Sequence, residues 1–195
     1  MVPTDKFGGR YAFGLVKIEV RDVDSGPRAS ATPAATPLVP AYVTPTPGTV
    51  ALSGLVAQPS LLSPSDLQKF PTETVDVSFQ GPNGVEKHTF TGVRLQAVVD
   101  AAKIQVNASH RSDILCKYIL FTASDGYEAL ISYGEIAQNF GEKPILLAGQ
   151  QDGQPLTGQG GPIRLVVPGD AHGARYVTGV VKMEVRDIDS PARTG

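Results

Sequence analysis

The chain reads as an α+β protein with mixed and antiparallel sheets and about three short helices. Three observations predict this. Short stretches of alternating apolar and polar residues are separated by turn residues: Gly81 to Gly84, Asp125 with Gly126, and Asp152 with Gly153. Helix starts are few, and they do not alternate with the strands as a doubly wound parallel sheet requires. The chain also contains one segment twice, residues 2–25 (VPTDKFGGRYAFGLVKIEVRDVDS) and 167–190 (VPGDAHGARYVTGVVKMEVRDIDS). At a constant offset of 165 they agree at 15 of 24 positions, so the repeating unit is a whole domain and not a solenoid turn.

The repeat divides the chain. Residues 1–25 are expected to be the closing strand of a preceding tandem copy, 26–48 a linker, 49–190 one complete domain and 191–195 a tail. Any export signal of the parent protein would then lie upstream. In the linker Pro, Thr and Ala dominate and Arg28 is the one charge, which gives a semi-extended spacer with polyproline character. Linkers of this kind suit an exported bacterial protein, in the periplasm or at the cell surface.

The domain opens with a strand at residues 50–53. Ser63 then stands as N-cap before Pro64, with Asp66 at the positive end of a short helix that stops before Pro71. Residues 75–79 alternate as a half-buried strand and return, after a turn, at 86–90. Leu95, Val98, Val99 and Ala102 recur at helical spacing over 93–102. Residues 114–122 form a strand that turns at Asp125 and Gly126 into 127–132. Ser132 and Glu135 make a capping box for a helix to Gln138. Strands follow at 144–148 and 154–156 about Asp152 and Gly153, then at 162–167, with a long closing strand at 174–185.

Composition excludes several functions. A net charge of −2 leaves no basic footprint for nucleic acid and no attraction to an anionic membrane. The single cysteine, Cys116, rules out an internal disulfide and a CxxC metal knuckle, and reads as a small buried hydrophobe. No apolar run approaches the ~18 residues that a spanning helix needs.

The order of motifs resembles the sulfite-oxidase-type molybdopterin-binding domain family. The resemblance is carried by Gly54-Leu55-Val56, Leu67, Thr91-Gly92-Val93-Arg94-Leu95 opening a helix, and Thr122 to Tyr127. It continues through Gly160-Gly161-Pro162-Ile163-Arg164 to Pro168-Gly169 and Gly173-Ala174-Arg175-Tyr176-Val177. It implies mixed sheets around a pterin cleft and a cysteine thiolate on molybdenum, a soft anionic ligand for a metal already held by a dithiolene. That cysteine is expected just after residues 75–79, where this chain has Phe79-Gln80-Gly81-Pro82-Asn83-Gly84. An amide is a poor substitute for a thiolate. The resemblance also implies a Lys-Trp pair after the Gly-Ala-Arg element, and Thr178 with Gly179 stands there instead. The sequence is therefore identified as a degenerate copy, with no cofactor expected and no metal ligands.

Five residues remain candidates for cofactor binding by family position or nearness to the cleft: Gln80, Asn83, Arg164, His172 and Arg175. No catalytic residue is assigned. Ser124 has no His and Asp pattern around it, and the glycines at 158, 160 and 161 precede a strand, so no helix dipole backs them. Arg186 and Asp187 repeat as Arg21 and Asp22 and read as surface or inter-repeat contacts. The leading reading is a binding or structural module in a tandem protein. The alternative is a molybdopterin-dependent oxidoreductase with a non-cysteine metal site. The expected partner is a neighbouring tandem copy, or another copy of the chain engaged through residues 2–25.

Limited proteolysis is expected to cut first within residues 26–48, where prolines leave little to bury. Uniform resistance there would contradict the linker assignment.

Overall fold

The computed structural model describes Val20, residues 40–157 and residues 162–188. The remainder of the duplicated segment 2–25, most of the linker, the glycine run at 158–161 and the tail lie outside the described residues.

Two sheets and three short helices make up the domain. The first sheet is ordered β2-β1-β10-β5-β6, from β1 (Val50–Gly54), β2 (Ser60–Leu62), β5 (Lys117–Ala123), β6 (Glu128–Ser132) and β10 (Val180–Asp187). The last strand therefore lies at the centre, parallel to β1 and antiparallel to β5. The second sheet joins β3 (Thr72–Gly81), β4 (Gly84–Arg94) and β7 (Leu146–Gln151), with β8 (Gln154–Pro155) and β9 (Arg164–Val166) both pairing with β7. The helices are α1 (Pro64–Leu67), α2 (Leu95–Ala101) and α3 (Tyr133–Ile136).

Burial explains the sequence of each strand. β5 is apolar almost throughout because it is covered on both faces. β3 and β4 alternate because only one face packs inward, through Val77, Phe79 and Phe90. One core cluster joins the sheets: Ile119, Phe121, Met183 and Val185 from the first, Phe90, Leu146 and Leu165 from the second, and Leu95, Val98 and Val99 from α2. Each such side chain contributes ~1.5–3 kcal/mol on burial. Both caps form as expected: Ser63 Oγ accepts from the Asp66 N–H at 3.2 Å, and Glu135 Oε1 accepts from the Ser132 N–H at 3.4 Å.

β10 is gripped along both edges near its C-terminal end. Gly54 has φ +91°, and a Cβ there would stand 2.2 Å from the Val185 carbonyl oxygen, so only glycine lets β1 approach so closely. At the other edge, Lys117 of β5 has no exposed side-chain surface and makes ion pairs with Asp187 of β10 and, at 2.6 Å, with Asp113. Asp113 also accepts the Asn107 N–H at 2.7 Å. Burial alone would depress the lysine's pKa, but the two aspartates reverse this and hold it above its ordinary value.

The structure corrects several expectations. Arg186 and Asp187 are not surface groups: Arg186 is buried, and Asp187 serves the buried lysine. Residues 113–116 are a 3-10 turn, and β5 begins only at Lys117. The expected closing strand at 174–185 is broken, with a 3-10 turn at Gly173–Arg175 before β10. The run 91–94 continues β4 instead of opening α2, because its backbone pairs with both β3 and β7. Near the end of the linker, Ala41 exchanges two 2.8 Å backbone hydrogen bonds with Gly54. This moves the expected cleavage to before Pro40.

Lys117→Ala would strand two carboxylates and is expected to cost about 3–5 kcal/mol in equilibrium urea unfolding at neutral pH. A loss below about 1 kcal/mol would show that the ion pairs do not anchor β10.

Candidate functional site

The candidate residues are positioned by the β3–β4 hairpin and the segment 167–177. Pro82 and Asn83 form the hairpin tip. Phe79, facing inward, stacks on Tyr176 with ring centroids 4.4 Å apart. Gly173 lies flat on the same Phe79 ring, where a Cβ would sit 2.9 Å from two ring carbons. The Gln80 N–H donates to the Ala171 carbonyl at 2.8 Å, and Gln80 and His172 form a bridge.

The structure thus brings Gln80 and His172 together, both with exposed side chains. The Gln80 amide donates to the Gly81 carbonyl at 3.3 Å. Asn83 is exposed at the tip, three positions beyond Gln80. Arg164 approaches the same stack from β9. Its guanidinium carbon is 5.3 Å from the centre of the Phe90 ring and 6.0 Å from that of Tyr176, and Nη1 donates to Gln151 Oε1 at 3.2 Å. Among the described residues no carboxylate lies within ion-pair distance of it. Burial pushes the guanidinium below its ordinary pKa. Its Nε and the Tyr176 hydroxyl are both buried without a hydrogen-bond partner among the described residues. Burial, with the Asp170 charge nearby, pushes the Tyr176 phenol up to about 12.

Arg175 is differently placed. Its Nε and Nη2 each donate to Asp170 at 2.7 Å, and Nη1 reaches both Glu135 oxygens at 3.2 Å. Its nitrogens bond two carboxylates, which pins the 3-10 turn to α3. Glu135 also takes Lys143 at 3.0 Å. Burial would raise its pKa, but Lys143 and Arg175 outweigh that and hold it below the ordinary value.

Sequence reasoning missed Phe79, Glu135, Gln151, Asp170 and Tyr176 as site residues. The repeat carried a signal for two of them, since Asp170 and Tyr176 recur as Asp5 and Tyr11 beside Arg10, the counterpart of Arg175. His88 is bound to Asp152 at 2.8 Å and Gln151 at 3.0 Å, and so ties β4 to the β7–β8 turn. An open depression of about 400 Å³ is lined by His88, Asp76, Lys87 and Asp152, but by none of the five candidates.

The donor set can be tested against the group that the motifs imply. No cluster of three or more His, Cys, Asp or Glu side chains among the described residues could hold a metal ion. Cys116 lies in the 3-10 turn leading into β5, in the other sheet from Gln80. Thr178, in place of the expected lysine, is exposed and uncharged. The residues therefore do not fit a thiolate-bound molybdenum. The orphaned Arg164 Nε and Tyr176 hydroxyl do fit a polar or anionic organic group.

Comparison with known proteins bears on this site. Residues 38–194 match the family described as the oxidoreductase molybdopterin binding domain. No curated protein matches the chain. Among solved structures, the sulfane dehydrogenase SoxCD from Paracoccus pantotrophus is similar in fold, with a TM-score of 0.59 at 18% sequence identity. The similarity covers 75% of this chain and 39% of that one, so this chain spans about two fifths of that protein's length.

Glu135→Gln is expected to cost about 1–3 kcal/mol at pH 7 by weakening its bonds to Arg175 and Lys143. Because the folded pKa lies below the unfolded value, this stabilisation is present above pH ~4.5 and is lost as pH falls through the folded pKa. The gap in Tm between wild type and variant should therefore narrow on acidification. A gap that stays constant from pH 7 to pH 3 would contradict the network.

Proposed function

We propose, from the premise that this chain belongs to the oxidoreductase molybdopterin binding domain family, that it keeps the family's fold as a binding and structural module of a tandem protein. It does not hold molybdenum through its own residues. The observation that carries this reading is Gln80. It stands where the family resemblance calls for a thiolate, with its backbone tied to Ala171 and its amide turned to the Gly81 carbonyl. The duplicated segment supports the tandem setting, and the Pro- and Thr-rich linker supports an extracytoplasmic one.

A second reading is favoured by one observation. The buried Arg164 Nε and Tyr176 hydroxyl lack partners, and an unmade hydrogen bond on a buried group costs ~1–3 kcal/mol. A polar ligand such as a pterin would satisfy both. On this reading the chain is a molybdopterin-dependent oxidoreductase whose metal is not bound by cysteine. If bound, the cofactor would supply redox chemistry at its metal. The chain would supply hydrogen bonds from the Arg164 Nε and the Tyr176 hydroxyl.

Elemental analysis of protein produced with cofactor available separates the two. The first reading expects no stoichiometric molybdenum. About one molybdenum per chain would overturn it in favour of the second.

A further inference from the structure

The place that β10 occupies has two claimants in one chain. Every structural demand that the fold makes on residues 167–190 can be checked against residues 2–25. The Asp170–Arg175 pair, which together with Glu135 pins the 3-10 turn, recurs as Asp5 and Arg10. Tyr176, stacked on Phe79, recurs as Tyr11. Gly173, which lies against the Phe79 ring, recurs as Gly8, and Gly179 (φ +64°) recurs as Gly14. In β10 itself Lys182, Glu184, Val185, Arg186 and Asp187 recur as Lys17, Glu19, Val20, Arg21 and Asp22. The ion pair of Asp187 with the buried Lys117 therefore has a ready substitute in Asp22.

The nine differences fall in three groups. Ala171, His172, Ala174, Thr178 and Ile188 are exposed, so Lys6, Phe7, Gly9, Phe13 and Val23 meet little resistance there. Met183 and Val180 are buried and change to Ile18 and Leu15, swaps of similar volume that cores tolerate, and Val177 changes to the smaller Ala12. One position disfavours the first segment. Gly169 has φ +89°, where Thr4 would be strained. That strain and the smaller Ala12 account for the C-terminal copy holding the place in the structure. Val20 is meanwhile 96% exposed, whereas its counterpart Val185 is 0% exposed.

The chain can also make the connection. Ala41 is bridged to Gly54, and Gly54 is paired with Val185. An Asp22 in the position of Asp187 would be joined to Ala41 by 18 intervening residues. Extended chain covers ~3.3 Å per residue, so this tether reaches easily, and its short length gives an effective concentration on the order of millimolar. At micromolar protein, the chain's own segment outcompetes that of another molecule.

We infer that residues 2–25 are a second closing segment for this domain, able to enter the place between β1 and β5 of their own chain when residues 167–190 leave it. The domain then has two closed forms that differ in which end of the chain is released. The released end is a strand that fits a domain of this same fold.

The test places a charge in each claimant of the full chain and follows thermal unfolding by circular dichroism, with mass from light scattering. Ile18→Asp should leave the transition unchanged. Met183→Asp, which would ruin a domain with one closing strand, should retain a cooperative transition as a monomer, lowered by several degrees. Ile18→Asp with Met183→Asp should abolish it. Loss of the transition in Met183→Asp alone would overturn the inference. A folded but dimeric or larger Met183→Asp would overturn it too, because the place would then be filled from another molecule.

Discussion

The domain depends on how its last strand is held. β10, the last strand in the chain, lies in the middle of the first sheet, parallel to β1 and antiparallel to β5. Its inward residues, Val180, Met183 and Val185, are almost wholly buried, so without them the first sheet falls into two pieces. The buried Lys117 between Asp113 and Asp187 sets its register, because a slip of one residue would separate the charges and turn the apolar face outward. Such a pair adds little net stability over apolar groups, but it heavily penalises any arrangement that leaves the lysine unpaired.

The candidate cleft hangs from the same segment. The chain just before β10 carries Asp170, Arg175 and Tyr176, and these fix the loop against α3 and against Phe79 of the hairpin. Gln80 and His172 meet only because this packing brings the hairpin and the loop together. Beside this packing the Arg164 Nε and the Tyr176 hydroxyl are buried without a hydrogen-bond partner among the described residues.

Much of the fold was legible in the sequence because it rests on local rules. The caps at Ser63 and Ser132, the turns at Asp125 and Asp152, and the alternation of β3 are all written in short stretches. What was not legible depends on distant partners. Residues 91–94 look like the start of a helix but are strand, because β3 and β7 pair with them. Residues 174–179 look extended but turn, because Arg175 is drawn to Asp170 and Glu135, the latter 40 positions away. Of the candidate residues, family position pointed to Gln80 and Arg164, and nearness to Gly173 pointed to His172, which the structure pairs with Gln80. The motif view of Arg175 as a cofactor ligand gave no hint of its two carboxylates. The aromatic contacts were invisible because nothing in the spacing of the residues tells that Phe79 meets Tyr176 or that Arg164 reaches both Tyr176 and Phe90.

The proposed function turns on position 80 being the place where the family resemblance calls for a metal ligand. The most direct measurement is the molybdenum content of Gln80→Cys beside that of the unaltered chain, both produced with cofactor available. The account predicts a clear rise in the variant, short of one metal per chain because Thr178 leaves the cofactor phosphate without its cation. Equal molybdenum in the two proteins, whether none or one per chain, would contradict it.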